Sequence, residues 1–223
     1  MSARTTIAVL CCLAALVSGC GQGAGASNAS AAAPSPGGDD CCPADAAAAK
    51  APPETPRIET HIPDVVLTDQ DGKTHRFYTD LVKDKLVLVN SIYTTCAGTC
   101  PMQTTVFAGA QHRLRKRVGK DVTMISITLD PDTDTPEKLK AFAERYNAHE
   151  GWYFLTGPKP DVTTVLQAMD LWSADPGDHL PLCSVGNDKT GVWMKVLNLG
   201  SPDEIVKKLD AVSKIDPSKA FGH

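Results

Sequence analysis

The sequence lacks the features of membrane-spanning and nucleic-acid-binding proteins. Its N-terminal apolar run, Ile7 to Val17, is about half of the ~20 residues that a helix needs to cross a bilayer. Lysine and arginine number 22 against 26 aspartates and glutamates, which gives a net charge of −4. A nucleic-acid surface needs a basic excess, so we expect no nucleic-acid partner.

Cysteine is too scarce in the predicted folded region to form a disulfide framework. Of the eight cysteines, five lie in the first 42 residues, in an apolar segment and in the low-complexity stretch after it. Only Cys96, Cys100 and Cys183 remain where strand and helix patterns occur. Three is an odd number, so at least one of these thiols has no disulfide partner within that region.

Residues 1–20 have the composition of an export signal. Arg4 supplies positive charge, an apolar core follows, and small residues precede Cys20. Val17-Ser-Gly-Cys20 resembles the lipobox of bacterial lipoproteins, which implies cleavage before Cys20 and lipidation of its sulfur. We therefore expect an exported cell-envelope lipoprotein, facing the periplasm or the cell exterior, with acyl chains that hold it on a membrane. The alternative is an ordinary secretory signal with a chance cysteine.

Residues 21–57 are rich in alanine, glycine, serine and proline and contain few large apolar side chains. Such a segment cannot bury enough surface to offset its ordering entropy, so it is predicted to be a flexible tether. The adjacent Cys41 and Cys42 could capture a soft metal, but an incidental role is the simpler interpretation.

Residues 58–216 alternate between strand and helix patterns. A hairpin turn is indicated at Asp69-Gln-Asp-Gly72, and an unbroken aliphatic run near residue 88 indicates a strand buried on both faces. The order predicts an α/β fold: a mixed central sheet with helices on both faces and an N-terminal hairpin extension. Strands are predicted at 63–67, 74–78, 86–92, 122–129, 152–155, 182–185 and 192–197, helices at 103–118, 136–146, 161–171 and 202–212, and a C-terminal tail at 217–223.

Cys96 and Cys100 lie on the turn between the central strand and the first long helix. Backbone N–H groups at a helix start point outward, and the helix dipole adds partial positive charge there. Both effects favour the thiolate, which is the form that attacks disulfides and binds soft metals. The pattern therefore predicts thiol chemistry, metal chemistry or both. Met102 is expected to pack into the core rather than bind metal.

Four motifs follow one another along the chain. They are Tyr93-Thr-Thr-Cys96-Ala-Gly-Thr-Cys100-Pro101, Ser126-Ile-Thr-Leu-Asp130-Pro131 with Asp134-Thr-Pro136-Glu137, Asp178-His179, and Gly186-Asn-Asp-Lys-Thr-Gly191. In these motifs the chain resembles the Sco/SenC family, thioredoxin-like proteins that deliver copper to the binuclear copper site of cytochrome c oxidase. The resemblance covers residues 63 to 212. It implies a thioredoxin-like fold and implies that Cys96, Cys100 and His179 are the copper ligands.

The chemistry of these three side chains is consistent with copper. Soft thiolates suit Cu(I), and an imidazole added to two thiolates lets the same site hold Cu(II). By resemblance, the partners are a copper-receiving protein, such as cytochrome c oxidase subunit II or another exported copper enzyme, and a thiol reductant of the thioredoxin type. A Cys96–Cys100 disulfide, formed on oxidation, would switch metal loading off.

The chain departs from the family pattern in two places. Ala97-Gly98-Thr99 stands where the family often has Pro-Asp-Val, which removes an acidic group from the loop. Cys183 stands where the family tends to have an apolar residue. Four strand residues span roughly 13 Å, so His179 and Cys183 are not expected to share one ion. A buried structural Cys183 is the preferred interpretation, with a further ligand or a resolving thiol as the alternatives.

Two functions therefore remain open from the sequence. The first is a membrane-tethered copper metallochaperone that is not an enzyme. The second is a thiol–disulfide oxidoreductase that keeps a partner's metal-binding cysteines reduced. Oxidoreductases of the thioredoxin-like fold usually carry Cys-x2-Cys after a tryptophan, whereas here the spacing is three and Tyr93-Thr-Thr precedes it.

Overall fold

The computed structural model describes residues 57–58 and 61–220. The predictions for the export signal, for lipidation at Cys20 and for the Cys41-Cys42 pair lie outside these residues, as does most of the predicted tether. Arg57, the last residue assigned to that tether, forms part of a short strand.

The described part of the chain contains eight strands and five helices. The strands are β1 (Arg57–Ile58), β2 (Val66–Thr68), β3 (Thr74–Arg76), β4 (Leu86–Ile92), β5 (Val122–Thr128), β6 (Trp152–Leu155), β7 (Leu182–Asn187) and β8 (Val192–Leu197). The helices are α1 (Thr99–Leu114), α2 (Pro136–Arg145), α3 (Lys159–Ala168), α4 (Pro202–Lys214) and α5 (Pro217–Ala220). Single turns of π-helix (Phe77–Val82) and of 3-10 helix (Arg115–Arg117, Pro176–Asp178, Asp188–Thr190) complete the list.

The central sheet has six strands in the order β1-β8-β7-β4-β5-β6. Strands β4, β5 and β6 run parallel, whereas β7 pairs antiparallel with both β4 and β8. Strands β2 and β3 form a separate antiparallel hairpin. The predicted mixed sheet and the N-terminal hairpin are thus confirmed. The sequence did not indicate β1, which pairs Arg57 with Trp193 at the edge of the sheet.

Two apolar layers cover the sheet, one on each face. Side chains from α1, α2 and α4 pack on one face, and side chains from α3 and the π-helical turn pack on the other. Consequently β5 is buried along its whole length, and β4 is buried at every residue after Leu86. This confirms helices on both faces. Fully burying one such aliphatic side chain contributes about 1.5–3 kcal/mol to folding.

Helix α1 begins at Thr99, four residues before the predicted start. Pro101 therefore lies in its first turn, where a missing N–H group costs nothing because those N–H groups have no partner within the helix. The helix ends at Leu114, and the predicted residues beyond it form a 3-10 turn. The earlier start matters for the site because it places Cys100 inside the helix.

Gly186 occupies a position on β7 where the sheet leaves no room for a side chain. It pairs with Trp193 of β8, and the indole ring covers the place that a Cβ atom would take. Trp193 is almost fully buried, so it has little room to move aside. The glycine of the Gly186-Asn-Asp-Lys-Thr-Gly191 motif is therefore explained by packing against Trp193.

Replacing Gly186 by alanine should destabilise the protein by about 3 kcal/mol, because the added methyl group overpacks the indole. Urea unfolding measures the change. Gly177→Ala is the control, since Gly177 is exposed and a Cβ there meets only the Asp175 side chain, at 3.3 Å or more. Equal stability of the two variants would contradict this account of Gly186.

Candidate metal and thiol centre

The two motif cysteines occupy different environments at the start of α1. Strand β4 ends at Ile92, and Cys96 lies in the loop that follows, partly exposed to solvent. Cys100 lies in the first turn of α1 and is fully buried. Neither thiol forms a disulfide. One sulfur is therefore accessible to a partner, while the other faces the protein interior.

A buried carboxylate holds the cysteine loop in place. Asp134 is fully buried and accepts hydrogen bonds from the backbone N–H and the hydroxyl of Thr94 and from the hydroxyl of Thr128. It thereby joins the loop before Cys96 to the end of β5. The next residue, Thr135, caps α2, because its hydroxyl accepts a hydrogen bond from the Lys138 N–H.

The environment separates the pKa values of the two thiols. Burial tends to raise the pKa of Cys96, but hydrogen bonds from the Tyr93 hydroxyl, the Cys100 thiol and the N–H groups of Cys100 and Gly98 outweigh it and lower that pKa. For Cys100, burial and its hydrogen bond to Cys96 raise the pKa to about 12. The helix start thus favours the thiolate at Cys96 only, because Cys100 is too deeply buried to hold a second charge.

Folding brings His179 to the buried cysteine. The 3-10 turn Pro176–Asp178 leads directly into His179, which is 7% exposed, and β7 begins three residues later. His179 Nε2 lies 3.7 Å from Cys100 Sγ, although 79 residues separate them in sequence. The Tyr93 ring meets the imidazole edge-to-face, with centroids 5.8 Å apart. The late histidine and the early cysteines therefore share one site.

The hydrogen bonding of His179 determines which ring nitrogen carries the proton and which carries the lone pair. Nδ1 lies 2.7 Å from the carbonyl oxygen of Pro176. A carbonyl oxygen can only accept, so Nδ1 carries the proton and donates it. In the neutral ring, Nε2 then presents its lone pair toward Cys100. A metal-ligating histidine typically has this arrangement, in which the other ring nitrogen donates to a carbonyl or carboxylate.

The three predicted ligands are linked by contacts through Cys100. Cys96 is hydrogen-bonded to Cys100, and Cys100 lies beside His179. Within 57–58 and 61–220, no three histidine, cysteine, aspartate or glutamate side chains converge closely enough to hold an ion as they stand. Two thiols and one imidazole nitrogen are the soft and borderline donors that copper prefers. The donor set therefore fits copper.

Two other sulfur-containing side chains, those of Cys183 and Met102, were expected to be buried. Cys183 is fully buried in β7 and pairs in register with Asn90, which confirms the expected buried position. Met102 is 54% exposed, so the expectation that it packs into the core is wrong. It lies in the first turn of α1 with Thr99 and Pro101, and the core-facing position of that turn is taken by Cys100.

Sequence reasoning missed three residues that shape the site: Tyr93, Gln103 and Asp134. Tyr93 contacts the Cys96 thiol and the His179 ring, and Gln103 contacts His179 Nε2. No signal in the sequence pointed to Gln103, because a glutamine in an amphipathic helix pattern is ordinarily a surface residue. Tyr93 and Asp134 belonged to the motifs, but their contacts follow only from the fold.

Known proteins resemble this chain both in sequence and in fold. The SCO1/SenC family model matches residues 54–178. A SCO1 protein homolog of Bacillus subtilis is 37% identical over 90 residues, which cover 40% of this chain and 45% of that protein. A Stutzerimonas stutzeri protein named for copper binding is 27% identical over 113 residues, which cover 51% of this chain and 53% of that protein. The chain thus spans about half the length of these two relatives.

A solved structure with a similar fold is that of BsSco, described as a Sco family member in cytochrome c oxidase assembly that has a disulfide switch. It is 25% identical, with a TM-score of 0.60, over 73% of this chain and 98% of BsSco. The fold is therefore the thioredoxin-like fold of Sco proteins. Because the family model matches more than half of the sequence, and the fold agrees with it, this chain belongs to the SCO1/SenC family.

Proposed function

We propose that this protein is a copper metallochaperone in which Cys96, Cys100 and His179 hold the ion. The observation that carries the proposal is the approach of His179 Nε2, the unprotonated ring nitrogen, to the Cys100 sulfur at 3.7 Å. The Stutzerimonas stutzeri relative is named for copper binding, which supports copper as the cargo. The recipient is cytochrome c oxidase, through its subunit II, or a related exported copper enzyme.

The two thiols and the imidazole contribute differently to the binding of Cu(I) and Cu(II). Two thiolates are the stronger ligands for Cu(I), which prefers soft donors, and the imidazole completes a three-ligand shell. The imidazole adds the borderline donor that Cu(II) requires, so His179 matters more for the oxidised ion. Copper binding displaces the thiol proton of Cys100, whose pKa is raised to about 12 in the metal-free protein, so loading releases protons.

Transfer proceeds by ligand exchange through the more accessible sulfur. Cys96 is partly exposed, whereas Cys100 and His179 are buried. A thiolate of the recipient therefore replaces Cys96 first, and the buried ligands release the ion afterwards. Exchange with a partner's disulfide, which accepts the two electrons, joins Cys96 to Cys100, removes both thiolates and switches loading off. A disulfide switch is described for BsSco, which supports this part of the proposal.

The proposed location is the outside of a bacterial membrane, with a lipid on Cys20 as the anchor. No helix among the described residues is both long and apolar enough to span a bilayer. The lipobox-like Val17-Ser-Gly-Cys20 supports anchoring through acyl chains instead. Residues 21–57 then connect the membrane to the folded domain, which lets the site reach a membrane-bound oxidase.

Metal analysis of the reduced full-length chain should find about one copper per chain, and Cys96→Ala should abolish stable loading. His179→Ala should weaken Cu(II) binding by more than the roughly 10- to 100-fold that loss of an outer-sphere partner costs, and should weaken Cu(I) binding less. Competition against a chelator of known affinity measures both ions. His112→Ala, at an exposed position on α1, is the matched control. Equal loss of Cu(I) and Cu(II) on removing His179 would refute its assignment as a ligand.

The separated thiol pKa values favour a second function, thiol–disulfide exchange. The Cys96 thiolate attacks one sulfur of a partner's disulfide and releases the other as a thiolate, which forms a mixed disulfide. Cys100 then gives its proton to His179 Nε2, 3.7 Å away, and attacks the Cys96 sulfur, which releases the partner's second thiolate. The partner gains two electrons and this chain loses two. A thiol reductant of the thioredoxin type must return them.

Tyr93→Phe tests the thiolate at Cys96 separately from any metal. The tyrosine hydroxyl lowers the pKa of Cys96, so its removal should raise that pKa and slow alkylation of Cys96 by iodoacetamide several-fold near neutral pH. The pH dependence of alkylation, followed by mass spectrometry to identify the thiol, measures the shift. Tyr78→Phe, which removes a hydroxyl that contacts Asp188, is the control. An unchanged alkylation profile in Tyr93→Phe would show that Tyr93 does not stabilise the thiolate.

A further inference from the structure

The His179 nitrogen that faces Cys100 also contacts a buried glutamine. Gln103 lies about one turn after Cys100 on α1 and is fully buried. Its side-chain Nε2 lies 3.1 Å from His179 Nε2. His179 Nδ1 donates to the Pro176 carbonyl, so His179 Nε2 is the acceptor in this contact. The Gln103 amide therefore donates a hydrogen bond to the same lone pair that a metal ion would use.

This hydrogen bond is not duplicated by the neighbouring thiol. The proton on Cys100 Sγ has two acceptors in reach, His179 Nε2 and the Cys96 sulfur. A thiol is a weak donor, and its one proton cannot serve both acceptors fully. The Gln103 amide is thus the stronger donor to Nε2 and fixes the direction in which this edge of the ring points.

Asn198 fixes the orientation of the Gln103 amide. Asn198 Nδ2 lies 3.4 Å from Gln103 Oε1, and both side chains are fully buried. Asn198 is held in turn by its backbone N–H, which donates to the Pro181 carbonyl at 2.7 Å. An amide has its acceptor at one end and its donors at the other. With Asn198 at the oxygen end, the nitrogen end of Gln103 faces His179.

The Asn198 side chain also has an unused acceptor. Its Oδ1 is buried and has no hydrogen-bond partner among the described residues. Buried polar groups are rarely left unpaired in folded proteins, so such an atom calls for an explanation. When a metal ion takes the His179 lone pair, the Gln103 N–H group loses its acceptor. The free oxygen of Asn198 belongs to the side chain that Gln103 already contacts.

We propose that Gln103 is a positioning residue of the copper site, with two alternative hydrogen-bond partners; the inference rests on the proposed function. In the metal-free protein Gln103 donates to His179 Nε2 and holds the imidazole toward Cys100. When copper binds, the Gln103 N–H turns to Asn198 Oδ1, and the two amides pair in both directions. The proton stays on Gln103 throughout, and no electron moves.

This exchange has two consequences for metal binding. The imidazole is already oriented when the ion arrives. The copper affinity is therefore not reduced by a population of proteins in which the ring points elsewhere. The hydrogen bond from Gln103 to His179 that copper displaces is replaced by one from Gln103 to Asn198, so Gln103 does not oppose copper binding. A glutamine without the Asn198 oxygen beside it would instead compete with the metal for the lone pair.

Nuclear magnetic resonance of the 15N-labelled full-length chain tests the exchange directly. In the metal-free protein, a scalar coupling across the N–H···N hydrogen bond should join Gln103 Nε2 to His179 Nε2. Loading with Cu(I), which is diamagnetic, should abolish that coupling and shift the Gln103 and Asn198 side-chain amide signals together. A proton on His179 Nε2 in the metal-free protein, or amide signals that do not move on loading, would overturn the inference.

Two glutamines of α1 supply a matched pair of variants. Gln111 is also buried, but its side chain binds the backbone of His149 instead of His179. We expect Gln103→Leu to weaken Cu(II) binding about tenfold and Gln111→Leu to leave it unchanged, although both substitutions lower stability. Thermal unfolding of both variants shows whether each still folds. Equal effects of the two substitutions on Cu(II) affinity would reduce Gln103 to an ordinary packing residue.

The outcomes also separate this inference from the proposed function. If the wild-type chain fails to bind copper, the proposed function is wrong, and so is the proposed exchange of hydrogen-bond partners by Gln103. If copper binds and His179→Ala weakens binding while Gln103→Leu does not, only the role of Gln103 is lost.

Discussion

The hydrogen bond from His179 Nδ1 to the Pro176 carbonyl is the contact on which the site depends. A backbone carbonyl accepts but never donates, so this bond fixes which ring nitrogen carries the proton. The other nitrogen, which carries no proton in the neutral ring, then faces the Cys100 sulfur. The carbonyl belongs to a 3-10 turn immediately before His179, so three residues of local backbone geometry determine what the imidazole can bind.

The two cysteines differ because one lies in the loop and the other inside the helix. Cys96 receives hydrogen bonds from Tyr93 and from N–H groups at the helix start, which lower the pKa of its thiol. Cys100 is buried, and its pKa is raised to about 12. An accessible thiolate beside a buried thiol suits stepwise release of a metal ion, and it suits stepwise thiol–disulfide exchange equally well. The same asymmetry therefore supports both proposed functions, and the presence of His179 favours the metal.

Much of the fold could be predicted from the sequence because its signals are local. The aliphatic run of β4, the turn residues of the β2–β3 hairpin and the Thr135-Pro136 start of α2 each follow from neighbouring residues. The start of α1 was placed four residues too late, although Pro101 fits a first helical turn. Strand β1 was missed because two residues carry no periodicity.

The candidate site was less predictable because its contacts join distant parts of the chain. The spacing of Cys96 and Cys100 indicated thiol chemistry, but only the resemblance to a family linked them to His179. Gln103 and Asn198 lie 95 residues apart, and no local pattern marks either as part of the site. The role of Asp134 likewise depends on Thr94, 40 residues earlier in the chain. Such networks follow from the packing of α1, β8 and the loops, which sequence patterns alone do not define.

X-ray absorption spectroscopy of the Cu(I)-loaded full-length chain tests the central claim most directly. The arrangement of Cys96, Cys100 and His179 predicts a copper ion with two sulfur ligands and one imidazole nitrogen. A first shell made only of sulfur, or one with more than one imidazole, would contradict the three-residue site.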